Sequence, residues 1–582
     1  MIRSLLLSIL LLSGSAFAVE PFLAPAVPSG TLSVQLVPTE AVTPGSARLV
    51  TFGVPFPRGS ITSAGLATLR VMKGGVEIPA HVAELTPWRH RANAALDGTS
   101  VRVARVQIRY TFAAATPETV SVSWGGLPRQ QNVATLESVR NGWHTVASGS
   151  YASADNVQEP DVYAVLPKAW LSLGVLKGTQ TLPFDDSNTE GRDNPATNAG
   201  IQHWTGYREA DRAAKNNFYS AINQDDARVT AANQCNYKTD YEPWLYDRAS
   251  TMFVLYLRSG FPSALREAVR ASDFYTDHVN ASGHFDLRNG DTKYVYAENL
   301  AYRYWLTGDD RALDKLSAIV TAQDGFGDAW TPSTGFWTER HAAYKLLANQ
   351  VAYDLQGGAN AARVGTLVSR LVSHQNGANG QIPQPAGYVD GGLYHYGSQH
   401  DGDWASGSLG ASSWMSMLVV DAMLRAYATS EDPAIANFVR RMGHFLRAST
   451  ISTTGHMYDN HAGALALPRY AMLSNGADGQ VNDADVEHAL DVASGIAWAH
   501  YFASLTNQPD AQLADAAENL YFTYDEGVNY WIRPNGPASG LPAYRTSPWR
   551  KFGWEHRVSG GLGWAMQAAA ATVDAMYANG FD

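Results

Sequence analysis

A single cysteine, Cys235, stands among 582 residues, so no intramolecular disulfide braces this chain. No histidine or cation directly flanks it to activate a thiolate, and it is not expected to be a nucleophile. Charged residues make up only 17% of the chain, with a formal net charge of −11 at pH 7. There is no lysine or arginine run, which argues against nucleic acid and anionic membrane surfaces as partners. No apolar stretch beyond the first residues is long enough to cross a bilayer. What is plentiful is apolar and aromatic: 45% of residues are hydrophobic, with 16 Trp and 28 Tyr. A chain of this length exceeds one core, so two or three domains are expected.

Residues 1–18 read as a signal peptide, with Arg3 as the positive region, residues 5–12 as the apolar region and Ala16-Phe17-Ala18 before Val19 as the cleavage site. Export to the periplasm or beyond follows, and the lack of a cysteine after the apolar run argues against a lipid anchor. Residues 31–37, 67–72, 101–112 and 119–124 are β-branched, alternating runs separated by Gly/Pro turns. A β-barrel or sandwich is therefore assigned to residues 19–140. Residues 141–235 read as a connection with short β elements and loops, including a polar loop at 185–198.

Residues 236–582 repeat one unit: an aromatic and acidic opening, a helix, a turn and a second helix. The pairs are 243–259 with 263–279, 293–307 with 309–323, 336–356 with 359–373, 412–429 with 433–449 and 485–506 with 510–521; 555–578 closes the chain. Turns such as Gly260-Phe261-Pro262, Gly308-Asp309-Asp310 and Glu431-Asp432-Pro433 supply C-cap glycines, N-cap acids and N1 prolines. First helices are apolar on most faces and suit an inner layer; second helices are amphipathic and suit an outer one. The fold class expected is multidomain α+β, an N-terminal all-β barrel or sandwich followed by an (α/α)6-type toroid. An open helical solenoid for protein binding is the alternative.

The stretch Leu49-Val50-Thr51-Phe52-Gly53-Val54-Pro55-Phe56-Pro57-Arg58-Gly59, with Trp88 and then Asp97-Gly98-Thr99-Ser100-Val101-Arg102, resembles the opening of rhamnogalacturonan exolyase-like proteins. That resemblance implies a RIFT-type barrel, a central β-sandwich and a terminal (α/α) toroid. This chain leaves only residues 141–233 for the sandwich. The resemblance covers about ninety residues and contains no catalytic group.

Chemistry gathers where the first helices begin. Trp337, Glu339, Arg340 and His341 place a ring, a carboxylate, a cation and an imidazole within two turns, a density that an inner helix would not otherwise tolerate. The Gly-rich segment 388–404 carries Tyr394, His395, Tyr396, His400, Asp401, Asp403 and Trp404. His400, Asp401 and Asp403 match no strong ligand spacing, so no cofactor is expected beyond a structural divalent cation. Further openings offer Tyr241 and Trp244, Asn299, Asn460 and His461, and Trp554, Glu555 and His556 as substrate contacts.

Two chemistries fit this inventory. In a lyase acting on uronate polysaccharide, His341 or Tyr396 moves protons and Arg340, helped by Asn299 or Asn460, neutralises the carboxylate, with Glu339 alongside. In an inverting glycoside hydrolase, two carboxylates from Glu339, Asp403, Glu242 and Glu555 act as acid and base. The lyase is the leading expectation, and the partner is a poly- or oligosaccharide. A secreted carbohydrate-binding protein without turnover is the third reading.

Overall fold

The computed structural model describes residues 19–147, 151, 156–183, 238–330, 338–377, 386–400, 402–453, 464–479, 488–532, 553 and 556–578, and its architecture is mixed α+β. Residues 1–18, expected to be a signal peptide, and 185–198, expected to be a loop, lie outside the described residues, as does Cys235.

The N-terminal strands are β1 Gly30–Pro38, β2 Ala47–Pro55, β3 Arg70–Lys73, β4 Val76–Ile78, β5 Ala80–Pro87, β6 Val101–Thr111 and β7 Glu118–Trp124, followed by β8 Trp143–Thr145, β9 Gln158–Pro160 and β10 Val162–Val165. They build an antiparallel sheet in the order β10-β1-β7-β3-β4, a second in the order β2-β6-β5, and a β8-β9 ribbon. Alternation decides the faces: Leu32, Val34 and Leu36 of β1 point inward while Thr31, Ser33 and Gln35 point out. Strand β6 is central in its sheet and buried along most of its length, so its sequence reads apolar on both faces. Gly74 and Gly75, both at positive φ, close the β3–β4 hairpin with a turn whose twist suits paired strands. Strand β10, drawn from the stretch read as a connection, pairs with β1 and carries the sheet past residue 140.

After the four-residue helix Lys168–Leu171, eleven longer helices follow among the described residues: α1 Arg248–Ser259, α2 Pro262–Asp277, α3 Glu298–Thr307, α4 Leu316–Asp324, α5 Glu339–Gln356, α6 Asn360–Gln375, α7 Ser413–Ala428, α8 Pro433–Ala448, α9 Ala489–Leu505, α10 Ala511–Ile532 and α11 Leu562–Ala578. Their ends obey local chemistry. Asp247, Thr338 and Ser412 cap α1, α5 and α7 with side-chain oxygens, Pro262 and Pro433 open α2 and α8, and Gly260 and Gly308 end α1 and α3 in left-handed conformations. The odd helices α5, α7 and α9 are buried on nearly every face, whereas α8 buries only one stripe, Ile435, Phe438, Val439, Met442, Phe445 and Leu446 among it. Each odd helix packs on the next, α1 on α3 and so on to α9 on α11, and the 3₁₀ turn Ser559–Gly561 that leads into α11 rests on α1. Small strands fill the connections: β11 His395–Tyr396, β12 Leu409–Ser412 and β15 Ala471–Leu473 form one sheet, β13 Thr450–Thr453 and β14 Leu465–Pro468 another.

The residues that carry the resemblance sit where the β half meets the helices. A Cβ at Gly53 would overlap the Trp305 carbonyl oxygen, so only glycine allows β2 to lie this close to α3. Trp88 donates its indole N–H to the Phe56 carbonyl at 2.7 Å. Arg102, 1% exposed, donates to the carbonyls of Val175 and Leu176, lies 3.2 Å from Asp354 of α5 and is sandwiched between the Trp88 and Trp305 rings.

A second junction is ionic. Glu159 accepts from Arg266 and Arg270 of α2, and His144 lies 3.4 Å from Glu159 and 3.0 Å from Asp161. Although Glu40, His144 and Glu159 come close enough to suggest an ion site, the two guanidiniums already supply the positive charge there. Asp161 and Glu159 outweigh burial and raise the His144 imidazolium from 6.5 to about 9. A raised folded-state value means this pairing stabilises the fold fully below pH 6.5, and the contribution fades as pH climbs through about 9. The denaturant midpoint should therefore fall between pH 6.5 and 9, and in His144→Gln that part of the fall should vanish. Identical pH profiles for the two proteins would refute the assignment.

Candidate functional site

The first turn of α5 spreads three consecutive side chains in three directions, since successive residues on a helix are about 100° apart. Thr338 begins the turn, and its hydroxyl lies 2.5 Å from His341 Nδ1. Glu339 turns toward segment 386–412. One of its oxygens accepts the Ser412 N–H at 2.7 Å; the other lies 3.9 Å from His395 Nε2 and 3.8 Å from His400 Nδ1. That segment is compact. His395 in β11 and His400 flank the 3₁₀ turn Gly397–Gln399, their facing nitrogens are 2.8 Å apart, and the Trp404 ring covers both imidazoles at 5.2 and 4.6 Å. Burial drives His395 far below the ordinary imidazole range and His400 down to about 3, aided by the neighbouring positive and imidazole groups. Burial pushes the Glu339 carboxyl up to about 8 against the backbone N–H bonds that favour its ionised form. Two neutral imidazoles and a carboxyl group meeting at one point could hold a divalent ion.

Arg340 turns the other way and donates to the Tyr246 phenol at 3.0 Å. Tyr246 and Asp247 both have positive φ, 72° and 58°, which is costly for residues with side chains. The turn is held from several sides. Tyr246 N–H donates to the Tyr296 hydroxyl at 2.9 Å, and Asp247 caps α1 and accepts from Asn299 at 3.2 Å. Trp414 packs edge-on to Tyr246 at 5.5 Å and stacks on His488 at 4.3 Å, with Tyr470 at 6.1 Å from its ring. Burial works against the Arg340 charge, but the phenols of Tyr246 and Tyr344 outweigh it and raise the guanidinium further. Tyr470 and Asp403 are half-buried and bring this group toward solvent.

His341 occupies a third pocket, a small cavity shared with Phe326, Gly327, Trp330, Thr338, Ala342 and Lys345. Burial and then Arg340 keep its imidazole neutral. The first turn of α5 thus separates the expected catalytic residues: Glu339 joins the histidine pair, Arg340 joins Tyr246, and His341 stands by Phe326 at 4.9 Å. Tyr396 is half-buried and pairs through its backbone with Leu409; among the described residues no hydrogen bond links it to Arg340 or His341.

Several residues expected at the surface of a cleft lie in the core instead. Trp244, 1% exposed, stacks on Phe274 at 5.2 Å; Tyr394, 0% exposed, donates to the Val389 carbonyl and packs on Phe445. Asn299 is 0% exposed and serves Asp247 and Ser272. Tyr241 is half-buried under Arg288 at 4.6 Å, and His556 is buried. Trp337, Asp401, Asn460, His461, Trp554 and Glu555 lie outside the described residues. Sequence reasoning missed Tyr246, Trp414, Tyr470 and His488. Their shared signal is position at or just before a first-helix opening, which Tyr246, Trp414 and His488 have and Tyr470 lacks.

No protein-family model matches the chain and no curated protein matches it, so the functional reading stands on these residues.

Proposed function

We propose that this chain is an exported polysaccharide lyase that cleaves uronate-containing polysaccharide by β-elimination, on an N-terminal β-barrel or sandwich joined to an (α/α)6-type toroid. The succession of odd helices, each packed on the next and returning to α1 through Ser559–Gly561, supports the toroid. One observation carries the chemistry: a buried guanidinium, Arg340, bonded to a phenol, Tyr246, at the openings of two inner helices.

Elimination removes the C5 proton of the uronate, expels the oxygen on C4 and leaves a C4–C5 double bond. A cation at the carboxylate lowers the cost of the carbanion character at C5, and Arg340 supplies it. Tyr246, held by that guanidinium, takes the C5 proton and returns it to the departing oxygen. His341 lies apart from that pair, in the small cavity with Phe326 and Lys345, and takes no part in this step. Tyr470, half-buried beside Trp414, provides an apolar face for a sugar ring.

Incubation with a panel of uronate polymers should raise the ultraviolet absorbance that a conjugated, unsaturated uronate gives. New reducing ends on a neutral glycan without that rise would overturn the lyase in favour of an inverting hydrolase. Binding without turnover would overturn it in favour of a carbohydrate-binding protein.

A further inference from the structure

We infer that Glu339, His395 and His400 bind one divalent transition-metal ion, with zinc as the ion of choice, and that this ion ties segment 386–412 to the first turn of α5. The inference does not depend on the lyase reading. Glu339 Oε2, His395 Nε2 and His400 Nδ1 converge at separations of 2.8, 3.8 and 3.9 Å. Tetrahedral zinc with bonds near 2.1 Å wants ligand atoms about 3.4 Å apart, so opening the histidine pair and drawing in the carboxylate by about half an ångström gives three of the four ligands, with a water molecule as the fourth.

Three further features point to an ion. Glu339 is 0% exposed, and its Oε2 has no hydrogen-bond partner among the described residues, while its other oxygen is fixed by the Ser412 N–H. A buried carboxylate oxygen left bare is costly unless a cation meets it, and the adjacent Arg340 spends its guanidinium on Tyr246. Second, His395 has the outer hydrogen bond that ligating histidines use, and the outer nitrogen of His400 faces a carboxylate at ion-pair distance. His395 Nδ1 lies 2.9 Å from the Leu393 carbonyl, which fixes its proton there and leaves Nε2 unprotonated, as a metal ligand must be. His400 Nε2 lies 3.4 Å from the Asp403 carboxylate. Third, Trp404 seals the pair from water on one side.

Protons balance on loading. Without an ion, His400 Nδ1–H donates to His395 Nε2. With one, that proton moves to His400 Nε2, where Asp403 receives it, and Glu339 releases its own proton to solvent. Two imidazoles exclude calcium and magnesium, which take oxygen ligands, and favour zinc-like ions.

The test uses the full, untagged chain. Elemental analysis should find about one zinc per chain. Stripping with a strong chelator should lower the melting temperature, and added zinc, but not calcium, should restore it. Cobalt in place of zinc should give the intense visible bands of a tetrahedral site. Asp403→Asn, at a partly exposed position, should weaken zinc about 10–100-fold, and Glu339→Gln should abolish stoichiometric zinc. A chain that carries no metal and whose melting temperature zinc does not move would overturn the inference. So would equal zinc in wild type and Glu339→Gln, or stabilisation by calcium alone.

Discussion

Tyr246→Phe should lower turnover on a uronate polymer by about 10²–10⁴-fold, the range expected for losing a positioned proton carrier, and the melting temperature should fall as well, because the buried Arg340 guanidinium loses the phenol it donates to. Phenylalanine keeps the ring that packs edge-on to Trp414 at 5.5 Å, and the Tyr246 N–H still reaches the Tyr296 hydroxyl. Only the oxygen that accepts from Arg340 is removed. Arg340→Lys should be nearly as damaging, because an ammonium cannot present two parallel N–H groups to a carboxylate while also holding a phenol. Loss of kcat in Tyr246→Phe with KM preserved separates proton transfer from sugar binding. Unchanged turnover would remove Tyr246 from the mechanism.

The largest stability loss is expected at Glu298. This carboxylate, 0% exposed, accepts from Lys177 at 3.2 Å, Arg425 at 2.8 Å, Arg557 at 3.1 Å and the Tyr302 hydroxyl at 2.9 Å. Burial alone would raise it; Lys177, Arg557 and Arg425 prevail and hold it well below the usual carboxylate range. Asp421 lies 2.9 Å from Lys177 and 3.4 Å from Arg557, and Asp354 lies 3.0 Å from Arg425. The network joins α3, α7 and the approach to α11 with Lys177. Glu298→Ala leaves three cations short of a partner in a dry interior and should cost about 3–5 kcal/mol, measured as a shift of the denaturant midpoint at constant slope. A shift below about 1 kcal/mol would mean that Asp421 and Asp354 re-pair the cations.

Local chemistry made much of the architecture legible. Gly260, Pro262, Gly308 and Pro433 mark helix ends in sequence, and the ends fall there because caps act within a few residues. The start of α1 was less legible: the helix begins at Arg248 rather than at 243, because Tyr246 and Asp247 are held left-handed by Tyr296, Arg340 and Asn299, all distant in the chain. Likewise the second helix expected over 309–323 splits into the 3₁₀ turn Asp310–Leu313 and α4.

At the site, aromatic density identified neighbourhoods but not faces. Trp244 and Trp414 both precede or open inner helices, yet one fills a core beside Phe274 and the other walls the Arg340 group. The histidine pair was visible as an inventory and its partner was not. His395 and His400 are five residues apart, and only the 3₁₀ turn between them brings their nitrogens together, while Glu339 arrives from another helix.

The docking of Arg102 also governs how this protein is made. Its carbonyl partners at Val175 and Leu176, its carboxylate at Asp354 and one of its two covering rings, Trp305, all come from beyond the first six strands. While a ribosome is still synthesising the helices, the β half carries a guanidinium prepared for burial with nothing to receive it, and a glycine groove at Gly53 with no α3 to fill it. Native burial of Arg102 therefore waits for the helical half.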